Sequence, residues 1–203
     1  MASIIAICNE ALDLLPADRI QSLDAGTLEA KSCSTQYGLA KRNVLARRSW
    51  TFLRTRTPLA PIVMPETVRM SWLYAYALPD NVRIDAVGPS AITRTLENDR
   101  WRGGVPYELM GDIILSNQAD AVLIGRIRPE DCPETRIDDI TATAIAYDLA
   151  QRVCMPIIKS VQRYNMLLSE AAMAFAAASR HDQEQTPNLY GDFIPEALGA
   201  RHA

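Results

Sequence analysis

Cysteine and histidine are the side chains that most often carry nucleophilic or metal chemistry, and in this chain they are few and scattered. The four cysteines are Cys8, Cys33, Cys132 and Cys154, and the two histidines are His181 and His202. No C-x-x-C pair and no Cys/His ligand spacing occurs, so the familiar routes to thiol, histidine or zinc catalysis have no sequence support. Cys8, Cys33 and Cys154 fall at positions where a small hydrophobe suits a helix face. Carboxylates offer a second route, because paired acids can share general acid and base work. The candidates are Asp138 with Asp139, and Glu108 with Asp112; adjacent aspartates, however, suit helix capping at least as well. A wall-degrading hydrolase is the enzymatic reading these pairs would support. No catalytic residue, metal ligand or cofactor site is assigned.

A third candidate is basic. Lys41, Arg42, Arg47, Arg48, Arg54 and Arg56 come without an intervening acid, and Trp50 and Phe52 are interleaved. Cations with aromatics suit phosphates and exposed bases, so a nucleic-acid-binding module using Lys41 to Arg56 is an alternative function. The chain of 203 residues carries a net charge of −3, which argues against a dedicated nucleic-acid binder. The same cations would suit the negative end of a helix dipole.

The elements that must position these residues follow from periodicity. Ser3 caps a first helix over residues 3–15, with Ile4, Ile7, Cys8, Ala11 and Leu15 on one face and Pro16 as its stop. Ile20 and Leu23 pin the following loop. Thr27 caps a long helix over residues 28–50, whose seam is Ala30, Cys33, Tyr37, Ala40 and Val44. A short connection predicts that the two helices form an antiparallel hairpin. Pro58, Pro61 and Pro65 then force an extended crossing. From residue 71 to 128 the pattern is β: Trp72, Tyr74 and Tyr76 alternate, as do Val82, Ile84 and Ala86. Further strands are expected at residues 92–96, 107–115 and 121–127, with an exposed hairpin tip at 97–104 that includes Arg100 and Trp101. Asp138 or Asp139 caps a third helix to about Met155, interrupted by Pro156. A fourth, over residues 158–179, places Val161, Tyr164, Leu168, Ala171, Phe175 and Ala178 on one face. The polar tail retains Leu189, Tyr190, Phe193, Ile194 and Leu198, more apolar mass than an inert tail needs.

The fold class expected is α+β. An antiparallel bundle of about four helices (residues 1–57 and 138–182) carries an inserted antiparallel β-sheet subdomain (58–137) and an extended C-terminal arm (183–203). Partner contacts are expected at Arg42, Arg47, Arg48, Arg54, Arg100, Trp101, Tyr190, Phe193 and Ile194. Subunit packing is expected along Ala171, Ala174, Phe175 and Ala178. No apolar run reaches the ~20 residues that span a bilayer, and the first residues lack a basic signal-peptide region, so a soluble protein made in the cytosol, without membrane contact, is expected.

Several stretches together resemble the phage tail tubular protein A family, the head-to-tail adaptors of short-tailed phages. They are Ile7-Cys8-Asn9-Glu10-Ala11-Leu12, then Ile20 with Ser22-Leu23, then Ala30, Cys33, Tyr37, Arg42 and Leu45 ahead of Trp50 and Phe52. Tyr76-Ala77-Leu78-Pro79-Asp80-Asn81-Val82-Arg83, Gly111-Asp112-Ile113-Ile114-Leu115 and Ala121-Val122-Leu123-Ile124 continue the likeness, which spans residues 4–180. The chain departs from the family pattern at Pro16-Ala17, where glycine is usual, and at Gly125-Arg126, where an aromatic is usual. The resemblance implies a structural virion protein of the neck, assembled in the host cytoplasm. It implies a homo-oligomeric ring, typically a dodecamer, between the portal protein and a tail nozzle or tail tubular protein B-like protein. Genomic DNA would pass through its lumen without specific binding.

Overall fold

Four side-chain caps start the four helices. Ser3, Thr27, Asp138 and Ser160 each accept a hydrogen bond from the backbone N–H three residues on, at 2.7–3.2 Å. The computed structural model describes residues 3–64, 71–89 and 104–185. The helices are α1 (Ile4–Asp13), α2 (Leu28–Ala46), α3 (Asp139–Ile157) and α4 (Val161–Glu184). With two antiparallel sheets they give the expected α+β architecture. The strand expected at 92–96, the tip bearing Arg100 and Trp101, and the tail residues Tyr190, Phe193 and Ile194 lie outside the described residues.

The seam of α2 is buried as its spacing requires: Ala30, Cys33, Tyr37, Ala40 and Val44 all lie in the helical core. The hub of that core is nevertheless α3, which packs against each of the other three helices. Its small residues Ala142, Ala144, Ala146 and Ala150 allow this close approach on several sides, and Ile145, Leu149 and Val153 fill the gaps. Pro156 does not interrupt α3: it sits in the last turn, where the one hydrogen bond its ring removes has almost no helix beyond it to break, and the chain reverses three residues on, at Lys159, φ +56°. Between α1 and α2, Asn9 fixes the loop by accepting from Ile20 N–H (2.8 Å) and donating to its carbonyl (2.9 Å). Arg163 near the start of α4 donates twice to the Leu14 carbonyl, satisfying the end of α1.

The inserted strands are β1 (Arg54–Pro58), β2 (Pro61–Ile62), β3 (Tyr74–Ala77), β4 (Val82–Pro89), β5 (Tyr107–Met110), β6 (Ile113–Ser116) and β7 (Ala121–Ile127). They form a three-stranded sheet ordered β1-β7-β4 and a four-stranded sheet ordered β2-β3-β6-β5, where the sequence pattern alone suggests one. Pro58, Pro61 and Pro89 fall in β1, β2 and β4, all edge strands, where a missing donor is harmless; Pro65 lies outside the described residues. The single strand expected at 107–115 is a hairpin, because Gly111 takes φ +60° as the first of two loop residues between the paired Met110 and Ile113. Strand β4 also departs from simple alternation. Its register against β7 shifts between Ile84 and Ala86, so Asp85 is an extra residue and the inward face moves from Ala86 to the fully buried Val87. Opposite this bulge stands Gly125. A Cβ there would lie 2.3 Å from the Arg83 carbonyl oxygen, so the strand pairing leaves no room for a side chain at this place.

Candidate interaction surface and polar pocket

The basic cluster does not form one face. Lys41 is buried, and its ammonium donates to the Cys132 carbonyl and to Glu134 Oε1 (2.9 Å). Tyr37 donates its hydroxyl to the same Glu134 oxygen at 3.1 Å. Burial alone pushes the Glu134 carboxyl up, but the Lys41 hydrogen bond, a backbone hydrogen bond, the Lys41 charge and the Tyr37 hydroxyl outweigh it and hold it below the ordinary carboxylate range. Burial, with the Glu134 charge beside it, keeps the Tyr37 phenol protonated. Arg48 donates to the buried Asp182 (3.2 Å), which also accepts from Thr51 N–H (2.8 Å) and the Thr51 hydroxyl (2.5 Å). Arg47 lies 3.6 Å from Asp148 and 5.3 Å from the centre of the Phe175 ring. Arg42, Arg54 and Arg56 are exposed and have no ion-pair partner among the described residues. The last two flank the open edge of β1, where charges deter strand addition. Helix α2 ends at Ala46 with Arg47 as its C-cap, so the last turn itself carries no cation and Arg47 is the member of the cluster placed at the negative end of the helix.

Trp50 is 0% exposed, stacked on Phe52 at 5.7 Å and met edge-on by Phe175 at 5.9 Å. It is core, and its faces are closed to a base. The carboxylate candidates also have structural employment. Asp138 caps α3 and accepts from the Thr141 hydroxyl (2.9 Å), and Glu108 accepts from Trp72 Nε1 (2.8 Å). The four thiols are buried and free. Burial raises Cys132 and Cys154, and Cys8 is raised by its neighbour Cys33 and by burial, so these sulfurs stay protonated. Among the described residues no group of three His, Cys, Asp or Glu is placed to hold a metal ion, and no helix is long and apolar enough to cross a membrane.

The face of α4 expected to pack between subunits is used inside the fold. Ala178 is fully buried, and Ala174 and Phe175 pack on the helical core, with Ala171 half-buried on the same side. Leu167 is the anchor of that face, whereas Val161 and Leu168, assigned to it by spacing, are exposed. The opposite face presents Ser169, Ala172, Met173 and Ala176 to the outside, with Met166 beside them; Met173 is 64% exposed. The outward residues of β5, Leu109 and Met110, are also exposed.

One pocket of about 350 Å³ opens between α2, α3 and α4. Gln36, Asn43 and Arg47 line it from α2 and its end, Asp148, Gln151, Arg152 and Met155 from α3, and Tyr164 from α4. Asp148 is its buried centre, accepting from Asn43 Nδ2 and Arg152 Nε, both at 2.6 Å. Sequence spacing exposes only one part of this cluster, the i, i+4 pair Asp148–Arg152. Its partners from α2 are about a hundred residues away and carry no local signal. No family model matches the chain, and no curated protein matches it.

Proposed function

We propose that this chain is a structural virion protein, a head-to-tail adaptor of the kind its sequence resembles. Subunits assemble side by side into a ring, dodecameric as in that family, between the portal and the tail nozzle or a tail tubular protein B-like component, and DNA passes through without specific contacts. The observation that carries the reading is the outward face of α4. Met166, Ala172, Met173 and Ala176 are left open to the outside while the other face of the same helix is docked in the core. Apolar groups grouped on one face mark protein contacts, methionine adapts to a partner's shape, and alanine and serine let two backbones approach closely. A heterologous contact repeated by rotation closes a ring.

The nucleic-acid alternative loses much of its material, because Lys41, Arg48 and Trp50 are engaged within the fold. For the hydrolase alternative, Asp138 is committed to capping α3.

The test mixes the purified protein with a purified portal ring and images the products. Stoichiometric ring-on-ring particles are expected. Met173→Glu should leave the subunit folded and abolish those particles, whereas normal particles from Met173→Glu, or none from the unaltered protein, would overturn the reading.

A further inference from the structure

We propose that the polar pocket between α2, α3 and α4 is a receptor for a carboxylate group. The inference is independent of the adaptor reading. Two guanidinium groups, Arg47 and Arg152, and one carboxylate, Asp148, line the pocket, which leaves it one negative charge short of balance. Asp148 is 6% exposed at its side chain and its oxygens are already engaged: Oδ2 by Arg152 Nε, Oδ1 by Asn43 at 2.6 Å and by Arg47 at 3.6 Å. Arg152 uses only its Nε edge for this, so both Nη groups have no hydrogen-bond partner among the described residues. A planar fork of N–H donors held this way matches the two oxygens of a carboxylate.

Both cations are held before any ligand arrives. Arg152 is tied one helical turn along α3 to Asp148, and Arg47 lies between Asp148 and the Phe175 ring. Ordering that is already present does not have to be supplied on binding. Gln36 and Gln151 add amide groups at the wall. A single carboxylate group restores neutrality, and the second carboxylate of a dicarboxylic acid can stay in solvent, whereas a phosphate dianion carries both charges on one group, overshoots neutrality and faces the buried Asp148 charge. The pocket is also polar and open, which suits the end of an acidic side chain or a small dicarboxylic acid better than an apolar ligand.

Titration calorimetry on the full chain tests this with three probes: glutarate, a capped tripeptide bearing one glutamate, and inorganic phosphate. Saturable binding of the glutarate or the peptide is expected, weakening with added salt, and stronger than that of phosphate. A tighter peptide identifies a protein-borne carboxylate, and tighter glutarate a free acid; either supports the site. Arg152→Lys, which retains the charge beside Asp148 but loses the fork, should weaken carboxylate binding about tenfold. Gln36→Glu leaves the Asp148 cluster untouched and should abolish binding by repulsion, which keeps the test valid if the arginine variant folds poorly. No saturable carboxylate binding, a preference for phosphate, or unchanged binding in Gln36→Glu would overturn the proposal.

Discussion

The Lys41–Glu134 pair shows why single residues in this chain must be read from their partners. In sequence, Lys41 opens a basic run; in space it is the buried half of an ion pair whose acid lies 93 positions on. Charge sign is legible locally, but burial and pairing belong to the tertiary fold, so a run of cations in sequence is not one surface in space, and its members serve separate contacts. Glu134→Gln leaves the Lys41 ammonium with only the Cys132 carbonyl and a neutral amide, and should destabilise the protein by about 1–3 kcal/mol at neutral pH, as measured by denaturant midpoint. The pH dependence has a definite sign. Because folding depresses the Glu134 pKa, its contribution is complete above the ordinary carboxylate value near ~4.3 and disappears as pH falls through the lower folded value. The gap between unaltered protein and variant should therefore narrow in acid; a gap constant from neutrality to acid would contradict this. Gly125 gives a second prediction. A methyl there meets the Arg83 carbonyl oxygen at 2.3 Å and Val82 Cγ1 at 2.9 Å, and backbone cannot yield as a side chain does. Gly125→Ala should cost about 1–3 kcal/mol by thermal or chemical unfolding.

At the scale of elements, the helix seams and caps were legible wherever a period had one strong answer. The α2 seam is buried as written, and Ser3, Thr27 and Asp138 are the caps. Where composition is nearly uniform, the period carries no such answer. In the alanine-rich α4 almost any stripe is apolar, so spacing alone points to Leu168 and Val161, which are exposed, and not to the buried Leu167. The helix also runs past the expected end at residue 179 to Glu184, and the buried carboxylate of Asp182 ties its last turns to Thr51 and Arg48, so residues 183 and 184 belong to α4. In β4 the alternation breaks at the bulge at Asp85, since one inserted residue exchanges the two faces beyond it. The two faces of α4 make a sharp contrast possible. Ala178→Glu puts a carboxylate into the closed helical core and should cost more than about 3 kcal/mol, enough to abolish cooperative unfolding. Met173→Glu, on the outward face, should change the unfolding midpoint little and act on assembly alone. Equal destabilisation by the two would place both faces in the core.

For the whole molecule, the inserted sheets enter and leave the helical part side by side. Strand β1 starts next to the short helical turn Thr51–Leu53, and its partner β7 ends at Ile127, with Arg54 paired to Arg126 and Arg56 to Ile124. Two separate cores follow from this. Leu53, Ile127, Cys132 and Ile137 belong to the helical one, while Leu59, Tyr76, Val82, Val87, Ile114, Ala121 and Leu123 form the β one. The proline-rich crossing marked this boundary in sequence because prolines forbid helix; the adjacency of the two crossings was not legible, since it depends on β1 and β7 pairing across more than sixty residues. Adjacent ends mean that the insertion can be removed without stretching the remainder. Joining Arg56 to Ile124 through Asn-Gly removes β2 to β6 with the far ends of β1 and β7, and closes the remaining stubs by one two-residue hairpin whose flanking residues are already partners. The four helices keep their core, including the Lys41–Glu134 and Asp182–Thr51 contacts that hold the entering and leaving strands to α2 and α4. The shortened chain should therefore retain helical circular dichroism and unfold in one cooperative transition, with lower stability from the newly exposed far edge of β7. A chain that loses cooperativity on this excision would mean that the helical core depends on the β core, and that the two form a single folding unit.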